Sequence, residues 1–180
     1  KRCAEYDKNY SPPTAHVPNE KDDILLLFTP GTTGKQKGCL FNHLAVVQAM
    51  TSVKLGYKSL PTECFYTQKH YSTAFQIIHF LMAPLMAGAA VYISDEKDFA
   101  TLIPAFTEKR ITYACMESPV LREMIRASEE LKLPTPTVKG FVFNGNTPDK
   151  ATWEAIAKLG KAAVFSVYGM TEYLGTIAMS

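Results

Sequence analysis

The residues Leu25-Leu26-Leu27-Phe28-Thr29-Pro30-Gly31-Thr32-Thr33-Gly34-Lys35-Gln36-Lys37-Gly38 run from an apolar segment into a loop of three glycines, three threonines and two lysines. Glycine permits positive φ and close approach of the backbone to another group. Threonine hydroxyls and bare amide N–H groups are donors that suit an anion, and the lysines add charge. Asn42-His43 then opens a helical pattern, so the stretch reads as strand, glycine-rich loop and helix. In that geometry loop amides surround phosphate oxygens. The bland alternative is a Gly/Thr-rich surface turn.

Spacing excludes two common phosphate loops. A Walker loop needs Gly, four residues, then Gly-Lys-Ser/Thr. Counting from Gly31 puts Gln36 where the second glycine belongs. The dinucleotide fingerprint fails on spacing too. From Thr29 to Gly38 the loop instead resembles the signature of the adenylate-forming superfamily: acyl-CoA synthetases, non-ribosomal peptide adenylation domains and luciferases. That signature reads roughly T-S-G-T-T-G-x-P-K-G. Two positions depart from it, Pro30 for the usual Ser or Gly and Gln36 for the usual Pro.

Composition bounds the rest. The 180 residues fit one domain with a real core. At 47% apolar and 20% charged the chain is globular rather than disordered. A net charge of +2 gives no reason to expect nucleic acid or an anionic membrane as partner. The four cysteines, Cys3, Cys39, Cys64 and Cys115, show no C-x-x-C or metal spacing, which favours a reducing, cytoplasmic setting. The apolar run Phe75 to Ile93 is broken by Gln76, His79, Pro84 and Gly88. It reads as a buried helix followed by a strand rather than a membrane span.

Along the chain, residues 1–23 are polar and Pro-containing and read as a linker into the domain. Residues 24–180 alternate. Strands are expected at Ile24–Phe28, Cys64–Thr67, Ala90–Ser94, Ile111–Met116, Gly140–Phe143 and Ala163–Val167. Helices are expected at His43–Lys54, Ala74–Ala87, Phe99–Lys109, Pro119–Leu131 and Asp149–Leu159. Asn42, Asp98 and Ser118 are candidate N-caps, and Gly160 is a candidate C-terminal stop. The pattern predicts an α/β fold with a parallel-rich sheet flanked by helices. The stretch Leu174–Met179 reads as a further strand meeting the chain end, as if the chain were a piece of a longer protein. In such sheets ligands sit beyond the carboxyl ends of strands. That rule selects the loops after Phe28, Thr67, Phe143 and Val167.

Those loops hold the unusual polar residues. After Val167 comes Tyr168-Gly169-Met170-Thr171-Glu172, an aromatic, a glycine, a hydroxyl and a carboxylate within five residues. It matches the superfamily's Y-G-x-T-E motif without departure. After Phe143 comes Asn144-Gly145-Asn146-Thr147-Pro148, similar to the family's S-G-G-A-P loop. After Thr67 comes Gln68-Lys69-His70-Tyr71. There His70 is the candidate for a family histidine or aromatic that swings between acyl and nucleotide sites, although the surrounding P-x-F-H pattern is absent. His79 and His43 are also near these motifs, but a lone histidine is more often structural.

The resemblance covers about Asp22 to Thr176 and implies the central part of the large N-terminal domain of an adenylate-forming enzyme. It implies ATP and Mg²⁺, with Tyr168 stacking on adenine, Thr171 bonding the α-phosphate and Glu172 holding the metal. Thr29, Gly31, Thr32, Thr33, Gly34 and Lys37 would hold phosphates, and Gly145, Asn146, Thr147 and Gly169 would line the nucleotide pocket. Lys37, Thr171, Glu172 and His70 are the implied catalytic set. A carboxylic acid becomes an acyl-adenylate, and a thiol, of CoA or of a carrier protein's phosphopantetheine, then takes the acyl group. The ribose-binding Asp and the catalytic Lys of the small C-terminal domain are expected beyond Ser180. The rival expectation is a non-catalytic nucleotide-binding or interaction module of the same fold.

Overall fold

The computed structural model describes residues 17–29, 36–68, 71–134 and 138–180. Its centre is a six-stranded sheet in the order β4-β3-β5-β6-β7-β8. The strands are β3 (Cys64–Thr67), β4 (Ala90–Ile93), β5 (Tyr113–Cys115), β6 (Gly140–Asn144), β7 (Ala163–Met170) and β8 (Gly175–Met179). All neighbours are parallel except β7 and β8. Helices make the crossovers: α2 (Ala74–Ile77) and α3 (Ala83–Met86) after β3, α4 (Phe99–Glu108) after β4, α5 (Ser118–Glu130) after β5 and α6 (Lys150–Lys158) after β6. The expected parallel α/β sheet is therefore present.

Side chains alternate across the sheet with the two-residue period of a strand. Phe65, Tyr113, Cys115 and Val142 belong to one core, with α1 (His43–Tyr57), Phe75, Ile78 and Phe80. Tyr66, Ala114, Phe141 and Phe143 belong to the other, with apolar residues of α4, α5 and α6. Both faces are covered, so these strands read as continuous apolar runs. Burying each such aromatic side chain contributes roughly 1.5–3 kcal/mol.

The opening motif is built differently from the expected strand–loop–helix. β1 (Asp23–Thr29) pairs antiparallel with β2 (Lys37–Asn42), and α1 begins only after β2. The loop is thus a hairpin tip, and the α1 N-terminus lies at the far end of β2 from it. Leu27 and Phe41 anchor the ribbon in the α1 core. Ile24, Leu26, Phe28 and Leu40 are exposed. At the other end Asn42 caps α1, accepting from Ala45 N, and the carbonyls of Asp22 and Glu20 accept the amides of His43 and Leu44.

Other local signals resolve in physical terms. Asp98 caps α4, and Gly160 takes φ +90° just past α6. Ser118 is not the α5 N-cap. Glu117 occupies that place, with Ser118 and Pro119 opening the helix, where proline's missing N–H costs nothing. The helix expected at Ala74–Ala87 contains a π turn, Ile78–Met82, between α2 and α3. Pro84 cannot donate to Phe80, four residues earlier, and the Phe80 carbonyl accepts from the Tyr71 hydroxyl instead, at 3.1 Å. No described helix is long and apolar enough to cross a membrane.

Candidate functional site

The carboxyl ends of β3, β5, β6 and β7 form one rim of the sheet, and the chemistry-bearing loops collect there. β6 ends at Asn144, and Gly145 turns the chain with φ +84°, a conformation that favours glycine. Gly145 N bonds the Val167 carbonyl at 3.4 Å, tying this turn to the neighbouring strand. Asn146 and Thr147 follow, both exposed. Asp149 then caps α6, accepting from Thr152 N, while Arg122 Nη1 reaches both its carboxylate oxygens at 2.9 Å. Thr152 donors, then Arg122, hold the Asp149 carboxyl below its usual range.

The Tyr168–Glu172 motif does not sit in a loop after Val167 as expected. β7 continues through Met170 because β8 folds back and pairs with it. The register slips between Tyr168 and Gly169, with Tyr168 opposite Ala178 and Gly169 opposite Thr176. Such a bulge re-aims side chains near strand ends. Tyr168 is 67% exposed. Thr171, Glu172 and Tyr173 form a single 3₁₀ turn, closed by Leu174 at φ 53°.

Several cavities open on or beside this rim among the described residues. A cavity of about 190 Å³ is lined by Gly169, Met170 and Thr171 with Asn144, Thr73, Ala74 and Phe75. One of about 350 Å³ lies between Asn144, Asn146 and Thr147 on one side and Glu117 to Pro119 on the other. Asn144 borders both. Another of about 350 Å³ lies between β2, α1 and the turn, lined by Phe41, Gln48, Ser52, Glu172, Tyr173 and Thr176 among others. Thr171 and Glu172 therefore open onto two adjoining cavities.

The structure brings the hairpin to this place. β1 packs against the Thr171–Tyr173 turn, and Phe41 of β2 shares a cavity with Glu172. Thr29 and Lys37 face each other at the loop end of the hairpin. Gly31, Thr32, Thr33, Gly34 and His70 lie outside the described residues. Among the described residues no group of three or more His, Cys, Asp or Glu side chains gathers as a metal cage. A lone exposed carboxylate such as Glu172 fits Mg²⁺, which takes one or two carboxylates and fills its sphere with phosphates and water.

Sequence reasoning gave His79 a structural role and missed its partners. It is fully buried, and Nδ1 meets the Tyr57 hydroxyl at 2.8 Å while Nε2 meets Thr176 Oγ1 at 2.5 Å. Burial pushes its pKa down to about 3. The three residues stand 22 and 97 positions apart, so no local pattern could announce them.

A family model for AMP-binding enzymes matches residues 2–180. A linear gramicidin synthase of Brevibacillus parabrevis is 26% identical over 177 residues, which is 94% of this chain and 2% of the synthase. The 4-coumarate–CoA ligase 1 of Arabidopsis thaliana is 26% identical over 168 residues, which is 88% of this chain and 29% of the ligase. The chain thus spans a minor part of the curated relatives it matches. Two solved structures share the fold. The N-terminal subdomain of Klebsiella oxytoca NpsA with anthranilyl-AMSN gives a TM-score of 0.73 at 22% identity, covering 94% of this chain and 44% of that one. The inhibitor-bound N-terminal domain of FACL13 from Mycobacterium tuberculosis gives 0.77 at 19% identity, covering 93% and 41%. With the family model matching nearly its whole length, the chain belongs to the AMP-binding enzyme family.

Proposed function

We propose that this chain is the nucleotide-handling part of a ligase that activates a carboxylic acid with ATP. A carboxylate oxygen attacks the α-phosphorus, the bond to the bridging oxygen breaks, and pyrophosphate leaves with that electron pair. The acyl-adenylate is then attacked by a thiol, of CoA or of a carrier protein's phosphopantetheine, releasing AMP. The observation that carries the reading is the packing of β1, which feeds the Gly/Thr loop, against the turn holding Thr171 and Glu172. One triphosphate within reach of both would be held at its two ends.

In this reading the Thr32–Gly38 loop, with Thr33 and Gly34 in it and Lys37 supplying charge, holds the leaving pyrophosphate, and Thr29 and Gly31 complete the nucleotide-binding set. Thr171 bonds the α-phosphate. Tyr168, exposed on β7, stacks on adenine, with Gly145, Asn146, Thr147 and Gly169 lining the pocket. Glu172 would hold Mg²⁺, which when bound offsets phosphate charge. His70 would move between the acyl and nucleotide sites. Phosphoryl chemistry of this kind depends on positioning and on donors fixed before the reaction. Residues 1–23 serve as the lead-in to residues 24–180, and the protein works in the cytoplasm.

The test is exchange of radiolabelled pyrophosphate into ATP by the full-length protein across a panel of carboxylic acids. Exchange that depends on one acid or acid class is expected. A protein that binds ATP yet exchanges with no acid would instead be a non-catalytic nucleotide-binding module.

A further inference from the structure

The Tyr57–His79–Thr176 chain ends on the cavity between α1, β8 and the Thr171–Tyr173 turn, and its hydrogen-bond directions can be worked out. Tyr57 is 2% exposed, and among the described residues its hydroxyl meets only His79 Nδ1. A buried phenol whose proton had no acceptor would lose roughly 1–3 kcal/mol. The Tyr57 proton therefore points at Nδ1, which must be the bare nitrogen. A neutral imidazole carries its single proton on the other nitrogen. His79 stays neutral because it is buried among Phe75, Tyr57 and the sheet. Nε2–H then donates to Thr176 Oγ1. With that lone pair used, the Thr176 hydroxyl proton is free to turn toward the cavity it lines. Among the described residues Thr176 Oγ1 has no other hydrogen-bond partner.

We propose that Tyr57 and His79 are positioning residues that fix Thr176 as a hydrogen-bond donor to the occupant of this cavity. The occupant is then a carboxylic acid whose tail carries an acceptor oxygen, such as a keto, ether or hydroxyl group, rather than plain hydrocarbon. The cavity, at about 350 Å³, suits a small acid, and its walls mix apolar Phe41, Val53 and Leu174 with polar Gln48 and Ser52. Glu172 stands at its border with the nucleotide rim, so an acid lying here has its carboxylate near the proposed phosphate site. This substrate class rests on the acid-activating reading above. The direction of the hydrogen-bond chain does not.

Two measurements on the full-length protein test the two parts. Long-range proton–nitrogen NMR correlation on histidine-labelled protein reads the His79 tautomer. The proton is expected on Nε2, and a proton on Nδ1 overturns the proposal. Pyrophosphate exchange is then run with acids in matched pairs, identical except for an ether or keto oxygen in place of a methylene. Wild type is expected to favour the oxygen-bearing acid of at least one pair by about tenfold in kcat/KM. Thr176→Val, close in shape and half-exposed, is expected to lose that preference by raising KM for the oxygen-bearing acid alone. Thr176→Ser keeps it, and Tyr57→Phe weakens it, with KM for ATP unchanged throughout. Active exchange with no preference in any pair, or a preference that survives Thr176→Val, overturns the donor role. Absence of exchange with every acid strikes the acid-activating reading itself and removes the substrate class with it, while the tautomer result still stands alone.

Discussion

Thr29 stands directly opposite Lys37 in the β1–β2 ladder, so the loop between them leaves and rejoins the ribbon at one point. That pairing fixes both ends of the loop, and the packing of β1 on the Thr171–Tyr173 turn sets where the ribbon lies. Removing a preorganised charge or donor at such a site costs on the order of a hundredfold or more in rate. Lys37→Ala and Glu172→Ala are each expected to depress pyrophosphate exchange by that order in the full-length protein. Wild-type rates in both variants would reject their assigned roles.

His79 gives the fold a pH dependence. Its folded pKa, about 3, lies below the ordinary 6.5, so between those values the unfolded chain binds a proton that the folded chain does not. Its contribution to stability is present above pH 6.5 and is lost as pH falls toward 3. The slope approaches roughly 1.4 kcal/mol per pH unit inside that window. In urea unfolding at several pH values, His79→Gln is expected to be less stable than wild type at pH 7 and to show a flatter dependence between 6 and 4. Parallel curves for the two proteins would remove His79 as the cause.

Asp149 acts at lower pH. Its carboxyl is held below the usual 3.8 by Thr152 and Arg122, so its contribution is present above that value and fades as pH drops through the lowered one. Asp149→Asn keeps an acceptor for the α6 N-terminus but removes the charge facing Arg122. The variant should show less loss of stability below pH 4 than wild type, with helical content unchanged by circular dichroism.

Phe141, fully buried in the central strand β6, reports on the sheet core. Phe141→Ala is expected to cost about 3–5 kcal/mol by denaturant unfolding, the range for deleting a large buried ring. A loss under about 1 kcal/mol would mean that the α4–α5–α6 side of the sheet is far less tightly packed than these contacts imply.

The parallel core was legible because strands covered on both faces leave unbroken apolar runs. Cys64–Thr67 matches its strand to the residue. Asn42 and Asp98 act as caps because an Asn or Asp side chain bonds its helix within a few residues, a local effect visible in sequence. β2 was hidden because Lys37, Gly38 and Asn42 leave only Cys39-Leu40-Phe41 as an apolar run, and its pairing with β1 decides it. The continuation of β7 through Tyr168 was hidden for the same reason, since only the return of β8 makes those residues a strand. At the site, the motif residues on β6 and β7 could be read one by one. Asn144's place between two cavities, and the Tyr57–His79–Thr176 chain, arise from tertiary packing alone.

The most direct test of the account is a crystal structure of the full-length protein with a non-hydrolysable ATP analogue. One triphosphate chain is expected within hydrogen-bond reach of both the Thr29–Lys37 loop and Thr171. A nucleotide that touches only one of these two segments would contradict it.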